Sequence, residues 1–321
     1  MGDVKMSENY GDIIVFTGNS NDPLVDLICQ HLGIEEGDCV VRQFSDGEIN
    51  INIGETVRGK DVFVIQSTSS PVNDNLMELL ILMDALKRAS AGRINAVIPY
   101  YGYARQDRKT KAREPITSKL VADLITKAGA ERIVCMDLHA GQIQGYFDIP
   151  VDHLSAIPYL AEYFKDLVKE EDYVVVSPDL GGVTRARNFS EHLNLPIAII
   201  EKRRPRPNES EVMNIIGDIE GKNCILIDDI VDTAGTICQA GEALQARGAK
   251  KVYGCATHGV LSGPALERLE NSVLEKFIIT DTIELPEEKR GHAIEVVSVA
   301  KVFADAISRI NANTSVSAMF D

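Results

Sequence analysis

The stretch CILIDDIVDTAGTICQAGEAL, residues 224–244, decides the fold. It opens with an aliphatic run that is apolar on both faces, the pattern of a buried parallel strand. That strand ends in an acidic pair, Asp228 and Asp229. A short loop, Asp232-Thr233-Ala234-Gly235-Thr236, then opens a helix. Backbone N–H groups at a helix N-terminus point toward an incoming anion, and the helix dipole adds to the attraction. Gly235 permits close backbone approach, and the two Thr hydroxyls add donors. A phosphate monoester fits such a cradle, while carboxylates accept from sugar hydroxyls or bind Mg²⁺. The plainer alternative is an ordinary Asp/Thr helix cap after a strand. Two adjacent acids at the carboxyl end of a buried strand, followed by D-T-x-G-T, favour the phosphate site.

Working outward, short β-branched runs alternate with amphipathic helices along the chain. Strands are expected at 13–16, 62–66, 94–100, 132–137, 173–177, 197–200, 224–228, 251–258 and 276–280. In 74–88 the apolar residues Leu76, Leu79, Leu80, Met83 and Leu86 recur at helical spacing. Asn73 or Asp74 can cap this helix, with Pro71 just outside it. Such alternation predicts an α/β fold with mostly parallel sheets. Residues 61–104 and 223–262 both read strand, hydroxyl-rich turn, helix, Gly, strand. Two related α/β domains are the simplest account, with a boundary near 148–156.

Charge narrows the ligand. The 33 Lys+Arg stand against 48 Asp+Glu, a net charge of −15, which disfavours general nucleic-acid or anionic-membrane binding. Yet segments 101–120 and 201–206 hold ten of the 33 cations in 26 residues, where an even spread would put about three. Local positive charge on an acidic chain suggests a small anionic ligand. No apolar run is long enough to span a membrane, and the N-terminus lacks an apolar signal core. The six cysteines are scattered without a CxxC pair and read as reduced core thiols of a cytoplasmic protein.

The 224–244 segment resembles the phosphoribosyl-diphosphate (PRPP) binding motif of type I phosphoribosyltransferases. That resemblance implies two tandem domains of the same fold. It assigns the ribose 5-phosphate to Asp232, Thr233, Ala234, Gly235 and Thr236, and the ribose hydroxyls to Asp228 and Asp229. The motif leaves open whether the chain consumes PRPP, as base phosphoribosyltransferases do, or makes it.

Four further segments resemble the ribose-phosphate diphosphokinase (PRPP synthetase) family. In RQFSDGEININIGETVRGKDV, 42–62, the family holds adenine at the Phe44–Glu48 turn. Phe44 offers a stacking face, and Asp46 and Glu48 accept from the exocyclic amine. Taken alone, the segment reads as a β-hairpin turning at Asp-Gly. In PYYGYARQDRKTKAREPIT, 99–117, Arg105 and Gln106 resemble ATP contacts after a strand end. Arg108, Lys109, Lys111 and Arg113 fit a solvated loop. In MDLHAGQIQGYFDIPVD, 136–152, a lone His139 would by itself be structural. The length of the match, not the imidazole, assigns it to the Mg²⁺–ATP phosphates. In residues 175–212, Asp179 meets a Gly-Gly helix start where the family places Mg²⁺. Lys202 and Arg204 match its catalytic cations on a mobile, Pro-broken loop that otherwise reads as a basic hairpin.

A base phosphoribosyltransferase needs neither the ATP segment nor the Lys-x-Arg loop, and a non-catalytic relative would have lost these side chains. The resemblance therefore implies Mg²⁺-dependent diphosphoryl transfer from ATP to ribose 5-phosphate. It implies an N-terminal domain over 10–152 with the ATP contacts, a C-terminal domain over 153–310 with the ribose loop, and a tail over 311–321. It also implies a homohexamer, and a regulatory site at Ser315 and Ser317 where ADP inhibits and phosphate activates.

Overall fold

A computed structural model describes residues 11–203, 212–287, 290–291 and 293–320, with the backbone alone at 202, 203 and 212. Contacts divide the chain into two compact units. One is residues 1–154 with 300–321, and the other is 155–299.

The first unit is built on a five-stranded sheet in the order β1-β4-β5-β6-β7, every pair parallel. Its strands are β1 (Ile13–Thr17), β4 (Asp61–Ile65), β5 (Arg93–Ile98), β6 (Arg132–Met136) and β7 (Val151–Leu154). Between β1 and β4 come helix α1 (Asp22–Leu32) and a separate antiparallel hairpin, β2 (Cys39–Gln43) with β3 (Ile49–Ile53). Helices α2 (Val72–Arg88) and α3 (Thr117–Ala128) cover one face. Leu79, Leu82 and Met83 of α2, and Val121 and Ile125 of α3, are buried against Val62, Val64, Ile94 and Ile133.

The second unit holds a seven-stranded sheet in the order β10-β9-β8-β11-β12-β13-β14, antiparallel only between β9 and β10. Its strands are β8 (Tyr173–Ser177), β9 (Ile197–Arg203), β10 (Val212–Ile216), β11 (Asn223–Val231), β12 (Val252–Gly259), β13 (Leu274–Thr280) and β14 (Ile294–Val297). Helices α4 (Ile157–Phe164) and α5 (Val183–Leu193) cover one face through Leu160, Phe164, Ala186 and Phe189. Helices α6 (Gly235–Ala246) and α7 (Ala265–Glu270) cover the other through Ile237, Leu244 and Leu269. These are the two α/β domains the repeat predicted. The repeated segments are β4–α2–β5 and β11–α6–β12, each a parallel βαβ unit.

Two expectations need correction. The domain expected to run to 310 stops near 299, because helix α8 (Ala300–Asn311) belongs to the first unit. The reason is a buried polar knot. Arg93 makes a two-pronged pair with Asp61, at 2.8 and 2.6 Å, and donates to the Ile310 carbonyl at 3.3 Å. Asn311 Nδ2 donates to Asp61 at 2.9 Å and to the Gly11 carbonyl at 3.1 Å. A carboxylate with no exposure needs such partners. The other correction concerns α2, which starts at Val72 with Pro71 as its N-cap and no side-chain cap. Asn73 instead accepts a hydrogen bond from Tyr103 Oη at 2.5 Å.

All six cysteines are free and five are buried, as core thiols should be. Among the described residues, no helix is long and apolar enough to cross a membrane.

Candidate active site

In the second sheet the chain leaves β8 toward β9 on one side, and leaves β11 toward β12 on the other. The carboxyl ends of β8 and β11 therefore flank a topological switch point, where diverging connections open a crevice for ligands. Asp179 follows β8, and Asp228 and Asp229 lie near the end of β11. Strand β11 runs three residues further than expected, to Val231, so the acidic pair is held within the sheet rather than beyond it.

Asp229 is 4% exposed, and Asp228 is only partly covered. Two neighbouring carboxylates taken out of water resist ionising together. Burial, and then Asp229, push Asp228 up to about 7, with Arg185 pulling the other way. Arg185 of α5 joins the pair: Nη1 lies 3.0 Å from Asp228 Oδ1 and Nη2 lies 2.9 Å from Asp229 Oδ1. The Asp229 N–H also donates to Asp228 Oδ1 at 2.9 Å.

The loop at 232–236 adopts a shape suited to an anion. Ala234 is left-handed, with φ 59° and ψ 1°, and stands at the N-cap of α6 without any side-chain cap. The first bond of the turn runs from Cys238 N–H to the Ala234 carbonyl at 3.1 Å. The preceding amides of a helix have no intrahelical acceptor. No acidic residue occupies this first turn, and Thr233 and Thr236 are exposed. The ordinary Asp/Thr cap is thus absent. Asp232 is instead used inside the loop, accepting from Ser262 Oγ, while its carbonyl accepts from the Ser262 N–H at 3.0 Å. Arg268 donates to the Thr233 carbonyl at 2.9 Å. The Gly235 Cα faces that guanidinium closely, since a Cβ there would lie 3.3 Å from Arg268 Nη1.

Asp179 is exposed, and its Oδ1 accepts from the Gly182 N–H at 2.8 Å, shaping the Gly-Gly entry to α5. Lys202 lies on β9 with its side chain outside the described atoms, and Arg204 lies outside the described residues.

In the first unit, Phe44, Asp46 and Glu48 share the exposed turn of the β2–β3 hairpin, closed by Phe44 N–H on the Glu48 carbonyl at 2.7 Å. Arg105 and Gln106 line a cavity of about 260 Å³ with Tyr100, Tyr103 and Asn73. The 136–152 segment braces this loop, because Gln142 Nε2 donates to Asp107 at 2.8 Å and Tyr146 Oη donates to its carbonyl. His139 is exposed just beyond β6. Its turn is fixed by Asp137 at φ 36° and by Leu138 N–H donating to His153 Nε2 at 2.8 Å. Burial holds His153 below the usual imidazole range, which keeps that nitrogen an acceptor.

His139 belongs to the first unit and Asp179 to the second. Among the described residues, no group of three or more His, Cys, Asp and Glu gathers as a metal cage. At the tail, Ser315 and Ser317 are exposed and share a hydroxyl–hydroxyl bond of 2.9 Å. Sequence reading missed Arg185, Arg268 and His153. The one available signal was the placement of Arg185, in the first turn of the helix that follows Gly181-Gly182.

Comparison with known proteins assigns the family. Residues 13–129 match the N-terminal domain of ribose phosphate pyrophosphokinase, and residues 201–321 match the phosphoribosyl synthetase-associated domain. The ribose-phosphate pyrophosphokinase of Caldanaerobacter subterraneus subsp. tengcongensis is 64% identical over 98% of this chain and 100% of its own. That of Clostridium tetani is 63% identical over 96% and 97%. The crystal structure of phosphoribosylpyrophosphate synthetase from Mycobacterium smegmatis superposes with a TM-score of 0.90 at 45% identity, covering 94% of this chain and 99% of that one. Likeness of this degree, end to end in both partners, admits one assignment: the chain belongs to the ribose-phosphate pyrophosphokinase family, enzymes that transfer diphosphate.

Proposed function

We propose that the protein transfers the diphosphoryl group of ATP to the 1-hydroxyl of ribose 5-phosphate, giving PRPP and AMP for nucleotide biosynthesis. The observation that carries this reading is the uncapped N-terminus of α6 beside a partly buried acidic pair at a switch point. One part of that arrangement suits a sugar phosphate and the other suits sugar hydroxyls.

Residues 232–236 hold the 5-phosphate, and Asp228 and Asp229 accept from the ribose hydroxyls. Phe44, Asp46, Glu48, Arg105 and Gln106 bind ATP. The ribose 1-oxygen bonds to the β-phosphorus as the bond from that phosphorus to the α–β bridging oxygen breaks, and AMP leaves with that oxygen. The hydroxyl proton passes to solvent water in the same event. Phosphoryl transfer asks the protein mainly for alignment and charge neutralisation. Lys202 and Arg204 supply cations to the transferring group. Asp179 would offer Mg²⁺ a hard carboxylate oxygen of the kind it prefers, and His139 is the second residue assigned to hold it. Bound Mg²⁺ would offset charge on the ATP phosphates. The working form is a cytoplasmic homohexamer, inhibited by ADP and activated by phosphate through Ser315 and Ser317.

The test mixes protein, Mg²⁺, ATP and ribose 5-phosphate. AMP formed in step with PRPP is expected, whereas ADP as the product would overturn the reading. Lys202→Ala or Arg204→Ala should lower kcat by roughly 10²–10⁴ with the fold intact. A variant within about threefold of wild type would remove that residue from the chemistry.

A further inference from the structure

We propose that Arg185 is a positioning residue for ribose 5-phosphate: its forked guanidinium holds Asp228 and Asp229 as a fixed pair of hydroxyl acceptors. The inference rests on the sugar-site reading above and deepens it. Three observations carry it. Arg185 divides its two terminal nitrogens between two carboxylates, at 3.0 and 2.9 Å. A planar fork gives each carboxylate its own nitrogen in a fixed geometry, whereas an ammonium would have to share one rotatable nitrogen between them. Both contacts fall on Oδ1 atoms, so the fork fixes the orientation of each carboxylate, a group whose oxygens can accept from more than one donor.

The geometry behind the fork is specific. Arg185 stands on α5, whose entry is set by the Asp179 carboxylate on the Gly182 N–H and by Ser177 Oγ on the Asp179 carbonyl at 2.7 Å. A Cβ on residue 182 would lie 2.9 Å from Ser177 Oγ and 3.6 Å from Arg185 Nη1, so glycine there lets the turn close and the guanidinium pass. The same turn that presents Asp179 thus aims Arg185 across the crevice at β11. The side chain of Arg185 is 20% exposed, which keeps its charge poorly screened. Arg185 pulls against the rise that burial and Asp229 cause in the Asp228 carboxyl, so its loss favours the protonated acid, which accepts fewer sugar hydroxyls.

The test uses Arg185→Gln, Arg185→Lys and, as a reference, Asp228→Asn in the full-length enzyme. Steady-state assays give KM for ribose 5-phosphate and for ATP. They also give the inhibition constant of tetrahydrofurfuryl phosphate, which keeps the ring and phosphate but lacks the three ring hydroxyls. Arg185→Gln should raise KM for ribose 5-phosphate about 10- to 100-fold. KM for ATP and the inhibition constant of the analogue should stay within about threefold. Arg185→Lys should fall between, and it carries the same test if the Gln variant fails to fold. Parallel weakening of ribose 5-phosphate and the analogue, or an equal rise in KM for ATP, would overturn the proposal and leave Arg185 a structural residue. Asp228→Asn separates the two levels. If it leaves the preference for ribose 5-phosphate over the analogue intact, the sugar-site reading itself fails, whatever Arg185 does.

Discussion

The loops that follow β4 and β11 occupy the same place in a repeated strand–turn–helix–strand unit, yet only one is open to a ligand. After β4, Ser67, Thr68 and Ser69 are all at least 96% buried. Thr68 Oγ1 accepts from the Gly102 N–H at 2.6 Å and donates to the Tyr100 carbonyl at 3.2 Å. Ser67 Oγ accepts from the Tyr100 N–H at 3.3 Å. Gly102 packs so closely that a Cβ there would sit 2.4 Å from the Thr68 carbonyl. The nearby carboxylate, Glu78, accepts from Asn19 N–H, Asn19 Nδ2 and Gln66 Nε2. Asp74 in the first turn of α2 further repels an anion.

After β11, Thr233 and Thr236 are exposed and the first turn of α6 carries no acid. The surrounding topology differs in the same sense. The second sheet reverses its strand order between β8 and β11, while the five strands of the first progress in one direction only. A hydroxyl-rich turn after a strand is thus a packing device or a ligand cradle, depending on whether its donors find protein partners first.

Four substitutions can break or sharpen this contrast. The largest effect is expected at Asp228. Its carboxyl is raised in the folded state to about 7 from an ordinary 3.8, so its ionised form opposes folding. That cost is full above pH 7 and fades as pH falls through 7 toward 4. Without substrate, Asp228→Asn should be more stable than wild type by about 3 kcal/mol at pH 8, with the gap narrowing as pH falls below 7 and closing near pH 4. A gap that does not change with pH in thermal melts would contradict the burial argument.

Next is Thr68→Val, which orphans the buried Gly102 N–H and should cost about 2 kcal/mol in denaturant melts. Its effect on KM for ribose 5-phosphate should be negligible. Thr233→Val should do the reverse. Stability should stay within about 0.5 kcal/mol, while KM for ribose 5-phosphate rises about tenfold. If both threonine variants lost stability equally, the second loop would be as closed as the first. The smallest effect is Ala234→Gly, which relieves a left-handed alanine and should stabilise by about 0.5–1 kcal/mol. An unchanged or lower melting temperature would place the cost of that conformation elsewhere.

What was legible in the chain follows burial. Each strand with an unbroken apolar run was found within a few residues, because a strand covered on both faces must be apolar throughout. The three strands missed, β7, β10 and β14, are all sheet edges. Their residues, such as Val151–Asp152–His153 and Glu295–Val296–Val297, are only partly buried, so their sequences carry no such run. The β2–β3 hairpin was legible from its Asp-Gly turn. Helix α8 was placed in the wrong domain because its partners, Asp61 and Arg93, lie over two hundred residues away, and no local pattern announces them.

The sequence by itself determined the strand–loop–helix at 224–244, the alternation that makes an α/β fold, and the acids and threonines of the candidate site. These are local features, written in periodicity and in a few contiguous residues. Only the tertiary structure decided that one repeat's hydroxyls are spent and the other's are open, and that the carboxyl ends of β8 and β11 flank a switch point. It alone brought Arg185 onto both aspartates. An ion pair spanning 43 residues, from Arg185 to Asp228, is set by which strands become neighbours, and strand order is not encoded in any short stretch of chain.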